Sequence, residues 1–211
     1  MRVLVSGCAG FIGAKVAEML ACEDHAVVGV DNLDPAYPVE LKRWRLNRLG
    51  ALSGVRFCAG SITESTFLTS LWSEYGPFDA VVNLAARAGV RQSIHNPHVY
   101  YEVNVLGTLN LLEFCRHHNV KKFILASTSS VYGHGPRPFR EDQLTDRPLS
   151  PYAASKKSAE VLGYSYHQLF GIDVTVFRYF TVYGPAGRPD MSIFRFIHQV
   201  AEGLPVTVYG D

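Results

Sequence analysis

The residues best suited to chemistry lie at positions 150–160, SPYAASKKSAE, where Tyr152 and Lys156 stand four positions apart. Pro151 fits the first position of a helix, where its missing N–H costs nothing. On such a helix the two side chains rise from one face. A phenol beside an ammonium is a proton-transfer pair: free tyrosine ionises near pH ~10, and a positive charge at Lys156 would bring Tyr152 towards working pH. The same Tyr-x-x-x-Lys spacing occurs on ordinary surface helices, so its meaning rests on the elements around it.

Those elements begin at the N-terminus. Residues 3–6 form a β-rich run that enters SGCAGFIG, with Gly7, Gly10 and Gly13 at GxxGxxG spacing, and Ile12, Val16, Met19 and Leu20 then recur at helical intervals. Strand, glycine loop and helix together can cradle a pyrophosphate on backbone N–H groups. A second apolar strand, 26–30, ends in Asp31. A carboxylate about 20 residues past such glycines accepts hydrogen bonds from both ribose hydroxyls and repels a 2′-phosphate, which predicts NAD over NADP.

The segment 34–49 carries Lys42, Arg43, Arg45 and Arg48 around Leu41, Trp44 and Leu46, a pattern read as a solvated helix face rather than an anion site. Residues 55–59 read as a third strand, 67–75 as an amphipathic helix and 78–85 as a buried strand, so the βα alternation predicts an α/β fold with a doubly wound parallel sheet of the Rossmann type. Arg87 and Arg91 follow the last of these strands, where a strand's carboxyl end opens onto the ligand crevice. They suit a carboxylate or phosphate clamp, or equally rim salt bridges.

A helix striped by Val99, Val103, Leu106, Leu109 and Leu112 comes next, interrupted by Asn104, which if buried would bond backbone or cofactor. The strand 121–126 runs into the hydroxyl residues Ser127, Thr128, Ser129 and Ser130, placed where substrate hydroxyls could bind. A Pro- and Gly-rich connection over 133–148 leads to helix 152–170 and strand 172–178, after which Thr181, Arg188 and Met191 face the same crevice. Residues 205–211 read as a strand and turn.

Composition narrows the class of partner. With 47% hydrophobic and 18% charged residues and a net charge of +1, the 211-residue chain reads as one globular domain with no electrostatic pull towards nucleic acid or anionic membrane. No apolar run approaches a membrane span or a leader. Four scattered cysteines without CxxC fit reduced thiols of the cytoplasm, and eight histidines without ligand spacing predict no metal.

Taken together, GxxGxxG, Asp31, the LAAR run at 84–87, STSSVYG and Tyr152-Ala-Ala-Ser-Lys156 resemble the extended short-chain dehydrogenase/reductases that act on nucleotide sugars. Within that family, ARAGVRQS and RYFTVYGPAGRPDM are most similar to the branch that epimerises UDP-glucuronate at C4. The resemblance implies a catalytic triad of Thr128, Tyr152 and Lys156, with NAD held by Gly7, Gly10, Phe11, Ile12, Gly13, Asp31, Asn32, Ser61, Ile62, Leu84, Ala85, Ala86, Asn104, Ala126, Tyr152, Lys156, Tyr179 and Val182. It also implies a UDP-sugar substrate met by Arg87, Arg91, Thr128, Ser129, Ser130, Thr181, Arg188 and Met191, its carboxylate fixed by Arg91 and Arg188 with the neighbouring hydroxyls.

Ser129 and Ser130 stand where related dehydratases and decarboxylases usually carry an acid, which argues against dehydration and more weakly against decarboxylation. A neutral-sugar 4-epimerase, a UDP-glucuronate decarboxylase and a non-catalytic NAD-binding module are the rival readings. Ser61 follows Gly60 where the family often has Asp, so contacts to adenine would differ. The resemblance further implies a homodimer through helices 99–118 and 152–170. It also implies a smaller substrate-binding region, mostly absent from this chain beyond about residue 185.

Overall fold

The computed structural model describes residues 1–206 and 208. Short apolar runs rich in β-branched residues become the strands β1 (Arg2–Ser6), β2 (Ala26–Asp31), β3 (Val55–Ala59), β4 (Ala80–Asn83), β5 (Lys122–Thr128) and β6 (Asp173–Tyr179). They form one parallel sheet in the order β3-β2-β1-β4-β5-β6. In register, Val5 lies between Gly29 of β2 and Val82 of β4. Strand order reverses between β1 and β4, and the crevice beyond their carboxyl ends is where open α/β sheets bind ligands.

The amphipathic segments between strands become α1 (Phe11–Cys22), α2 (Val39–Gly50), α3 (Ser65–Tyr75), α4 (Val90–His95), α5 (His98–Tyr101), α6 (Gly107–His117), α7 (Pro151–Phe170) and α8 (Ser192–Ala201). Because side chains alternate across a strand, β1 sends Leu4 to one face and Val3 and Val5 to the other. Leu4 packs in a core with Val28, Val81, Phe123 and Leu125 from the sheet, Leu68 and Leu71 from α3, Leu111 and Leu112 from α6, and Ala159 from α7. Val3 and Val5 join Val27, Ala80 and Val82 against Ala17 of α1 and Leu49 of α2. The doubly wound architecture predicted from the alternation is therefore the one observed.

Several local expectations are corrected. The buried face of α1 runs through Gly13 and Ala17, leaving Met19 exposed, because small residues let the helix sit close to the glycine loop. The strand expected over 78–85 is regular only over Ala80–Asn83, although the N–H groups of Asp79 and Leu84 still donate to the Arg2 and Ser6 carbonyls at 2.9 and 3.2 Å; Leu84 and Ala85 line the crevice. The expected stripe on the fifth and sixth helices is rotated. Tyr100, Asn104, Thr108, Leu111 and Cys115 are buried while Leu106 is exposed, and a π turn at Glu102–Leu106 links α5 to α6 and shifts the phase.

The basic run on α2 is likewise not a uniformly solvated face. Lys42 and Arg45 are buried, on the same side as Leu49, whereas Arg43 and Arg48 face solvent. The strand and turn expected over 205–211 fall largely outside the described residues; Pro205, Val206 and Val208 adopt no regular structure. No helix among the described residues is long and apolar enough to cross a membrane.

Candidate active site

A cleft of about 440 Å³ opens at the reversal of strand order and is lined from the glycine loop at one end to Arg188 and Met191 at the other. At the first end, Gly7 turns the chain with φ +72°, its N–H donating to the Val30 carbonyl at 2.7 Å. A Cβ on Gly13 would lie 2.0 Å from the Gly7 carbonyl oxygen, so only glycine lets α1 start this close to β1. The first bond at the start of α1 runs from Ala14 N–H to the Gly10 carbonyl, and no side chain caps this end. The N–H groups of Phe11, Ile12 and Gly13 thus lack intrahelical acceptors and stand beside the cleft. Such a cradle fits a pyrophosphate, with the positive end of the helix dipole behind it.

Asp31, at the end of β2, is buried and already engaged. Its carboxylate accepts from the N–H of Ala9 at 3.2 Å and of Leu33 at 2.8 Å, and Lys42 Nζ lies 3.4 Å from Oδ1. An ionised carboxylate has about four acceptor positions, so capacity for a ribose hydroxyl remains. Asn32, Ser61, Ile62, Leu84, Ala85, Ala86, Ala126, Tyr179 and Val182 also line the cleft, as the resemblance implies. Asn104 does not. Its amide closes on the backbone of Arg87, accepting from N–H at 2.8 Å and donating to the carbonyl at 3.0 Å, and it donates to Ser155 Oγ at 2.9 Å. Of its two expected roles, backbone or cofactor, the first is the one realised.

The proton-transfer pair is delivered by the start of α7. Ser150 caps the helix by accepting from Ala153 N–H at 3.1 Å and Pro151 occupies its first turn, so Tyr152 and Lys156 both reach the cleft. Lys156 is 2% exposed. Burial pushes its ammonium down to about 8, against the upward pull of the Glu160 carboxylate. Burial likewise holds the Tyr152 phenol above its ordinary value, against the lowering effects of a hydrogen bond with Thr128 and the charge of Arg188. The expectation that Lys156 brings the phenol down is therefore corrected: desolvation dominates, and the cation that opposes it is Arg188.

Thr128 Oγ1, at the end of β5, accepts from Ser130 N–H at 3.2 Å and is thereby oriented towards Tyr152. Ser129 and Ser130 line the cleft, whereas the Ser127 hydroxyl is committed to Glu160, one turn beyond Lys156 on α7. Glu160 in turn takes a bidentate pair from Arg178 of β6, with Nε–Oε1 and Nη2–Oε2 both 3.0 Å.

At the far end, Thr181, Arg188 and Met191 line the cleft, and Arg87 does so while paired to Asp34. Arg188 is held by Asp190, with Nε–Oδ1 3.0 Å and Nη2–Oδ2 2.6 Å. Arg91 is exposed on α4 and is not among the lining residues, so the arginine pair expected as a clamp is not assembled; Arg87 and Arg188 are the arginines that reach the cleft. Sequence reasoning missed Tyr37, Lys42, Val103 and Phe180, which also line it. For Lys42 a signal existed, since it shares a helical face with Arg45 and Leu49. No cluster of residues suited to a metal occurs among the described residues.

Comparison with known proteins agrees with this geometry. Residues 3–211 match the model of the NAD dependent epimerase/dehydratase family. The chain is 55% identical over 208 residues to a UDP-glucuronate 4-epimerase of Thermodesulfobacterium geofontis, covering 99% of this chain and 64% of that protein. It is 41% identical to UDP-glucuronate 4-epimerase 1 of Arabidopsis thaliana, covering 99% of this chain and 49% of that one. Among solved structures, UDP-glucuronic acid 4-epimerase from Bacillus cereus, in complex with UDP-glucuronic acid and NAD, superposes with a TM-score of 0.93 at 41% identity over 100% of this chain and 66% of its own. UDP-glucose 4-epimerase from Thermus thermophilus, with NAD, gives 0.88 at 37% identity over the same shares. The chain thus spans about two thirds or less of these relatives. By motif, fold and similarity across its length, it belongs to the NAD dependent epimerase/dehydratase family.

Proposed function

We propose that the chain forms the cofactor-binding and catalytic body of an epimerase that inverts C4 of UDP-glucuronate to give UDP-galacturonate through a 4-keto sugar. The observation that carries this reading is the convergence of Tyr152, Thr128 and Lys156 in one cleft with the glycine cradle at one end and Arg188 at the other. NAD, when bound, would supply the hydride acceptor and donor and, in its oxidised form, a positive charge near the phenol. Gly7, Gly10, Phe11, Ile12 and Gly13 would hold its pyrophosphate, and Asp31 its adenosine ribose. Tyr152 Oη takes the proton from the sugar 4-hydroxyl and later returns it, while Thr128 Oγ1 holds that oxygen in line. Lys156 Nζ, buried in the same cleft, would hold the nicotinamide ribose, while Arg188 is the cation that favours the phenolate. Arg188, with Arg87, Thr181, Ser129 and Ser130, would hold the sugar carboxylate and so oppose loss of carbon dioxide from the keto acid.

We further assign residues 1–211 to this one NAD-binding and catalytic body. Exposed Tyr101, Leu106, Val161 and Tyr164, near α5 and on α7, support a homodimer through these helices. Four free thiols are in keeping with a cytoplasmic setting.

The test is to incubate UDP-glucuronate with NAD and this chain at its full encoded length and to separate the products. A product of unchanged mass with galacturonate stereochemistry is expected, and Tyr152→Phe should abolish it while keeping NAD affinity. A product lighter by carbon dioxide would make the protein a decarboxylase. Turnover of UDP-glucose alone would make it a neutral-sugar epimerase, and NAD binding without turnover of either sugar a binding module.

A further inference from the structure

Arg45 of α2 is 4% exposed and joins parts of the chain that are far apart in sequence. Its Nη1 donates to the Ala9 carbonyl of the glycine loop at 3.0 Å and to the Tyr37 hydroxyl at 2.9 Å, and its Nη2 donates to the Ala186 carbonyl at 2.8 Å. None of these acceptors is a carboxylate. Ala186 sits at φ +57°, a region that a residue with a side chain seldom adopts, and Arg188 follows two positions later. The guanidinium carbons of Arg45 and Arg188 each lie 5.6 Å from the centre of the Tyr37 ring, close enough for cation–π attraction.

We infer that Arg45 is a positioning residue for recognition of the acidic sugar: it ties the Ala186 carbonyl to the glycine loop and, with Tyr37, fixes Arg188 over the cleft. This rests on the reading of Arg188 as the contact of the substrate carboxylate. The planar fork of arginine reaches acceptors on two sides at once, whereas the single ammonium of lysine cannot span them. Charge alone at this position is therefore insufficient. The strained turn at Ala186 is held because its carbonyl is pinned, and release of that carbonyl would let the segment carrying Arg188 relax away from the sugar.

The experiment is calorimetric titration of the NAD-loaded protein, at its full encoded length, with UDP-glucuronate and with UDP-glucose. The measured quantity is the ratio of the two affinities, which a general loss of folded protein does not move. Arg45→Lys is expected to lower that ratio about tenfold, as a lost anchoring contact would. Adding Arg45→Lys to Arg188→Met is expected to leave the ratio where Arg188→Met alone puts it. Tyr37→Leu, which removes the shared ring and buries no new charge, is expected to lower the ratio severalfold and serves if Arg45→Lys does not fold. If Arg188→Met collapses the ratio while Arg45→Lys or Tyr37→Leu leaves it unchanged, the positioning role is wrong and the reading of Arg188 stands. A ratio indifferent to Arg188→Met overturns that reading and this inference with it. A further drop on combining the two changes would show that Arg45 acts independently of Arg188, which also overturns the inference.

Discussion

Replacement of Glu160 by glutamine should unsettle the catalytic body without touching a group that meets substrate. The Glu160 side chain is 7% exposed, that of Arg178 is 18% exposed, and their bond is bidentate. Removing one member of such a pair leaves the other charge partly desolvated, at a cost of about 3–5 kcal/mol. Arg178 retains the Glu141 carbonyl at 3.2 Å and the Tyr132 hydroxyl at 3.3 Å, so the lower end, about 3 kcal/mol, applies. For a chain of this length that corresponds to a fall in Tm of roughly 6–12 °C.

The pH dependence of this effect has a definite sign. Burial pushes the Glu160 carboxyl up, but hydrogen bonds from Arg178 and Ser127 and the charges of Arg178 and Lys157 outweigh it and leave it below its ordinary value of 4.5. A depressed carboxyl contributes its stability fully above the unfolded value and loses it as pH falls through the folded one. Thermal melts of the parent and Glu160→Gln proteins should therefore differ most at neutral pH and converge below about 4.5. A gap under about 2 °C at pH 7, or one that persists unchanged in acid, would refute the reasoning. The double replacement Glu160→Leu with Arg178→Met should recover part of the loss, because no buried charge is then left alone.

Gly13→Ala should abolish NAD binding, since the added Cβ would sit 2.0 Å from the Gly7 carbonyl oxygen and neither backbone can yield without opening the cradle; calorimetric titration that finds unchanged affinity would contradict this. Asn104→Ala strips hydrogen bonds from both backbone groups of Arg87 and from Ser155 and should lower stability by about 2–4 kcal/mol, read as a shift in the urea midpoint at constant slope.

Short-range pattern alone marked the strands, the glycine cradle and the Tyr152–Lys156 pair. Each depends on residues within a few positions of one another: a β-branched run before Gly7, Pro151 at the start of a helix, a spacing of one helical turn. The alternation of strands and helices then left the doubly wound order as the arrangement in which both sheet faces are covered. Residues whose meaning depends on distant partners were not legible in this way. Lys42 and Arg45 looked like solvent-facing charges because their acceptors, Asp31, Ala9 and Ala186, come from three other parts of the chain.

Arg91 looked like a crevice residue because its position after β4 is right, but α4 turns it outward while Asn104 holds the Arg87 backbone in place. The ionisation of Tyr152 was misjudged for the same reason. A nearby lysine is visible in the sequence, whereas desolvation of the phenol and the approach of Arg188 exist only once the cleft has closed around them. Periodicity and local hydrogen bonding are written along the chain, but burial and long-range electrostatics are properties of the packed whole, and those decided which charged groups face the site.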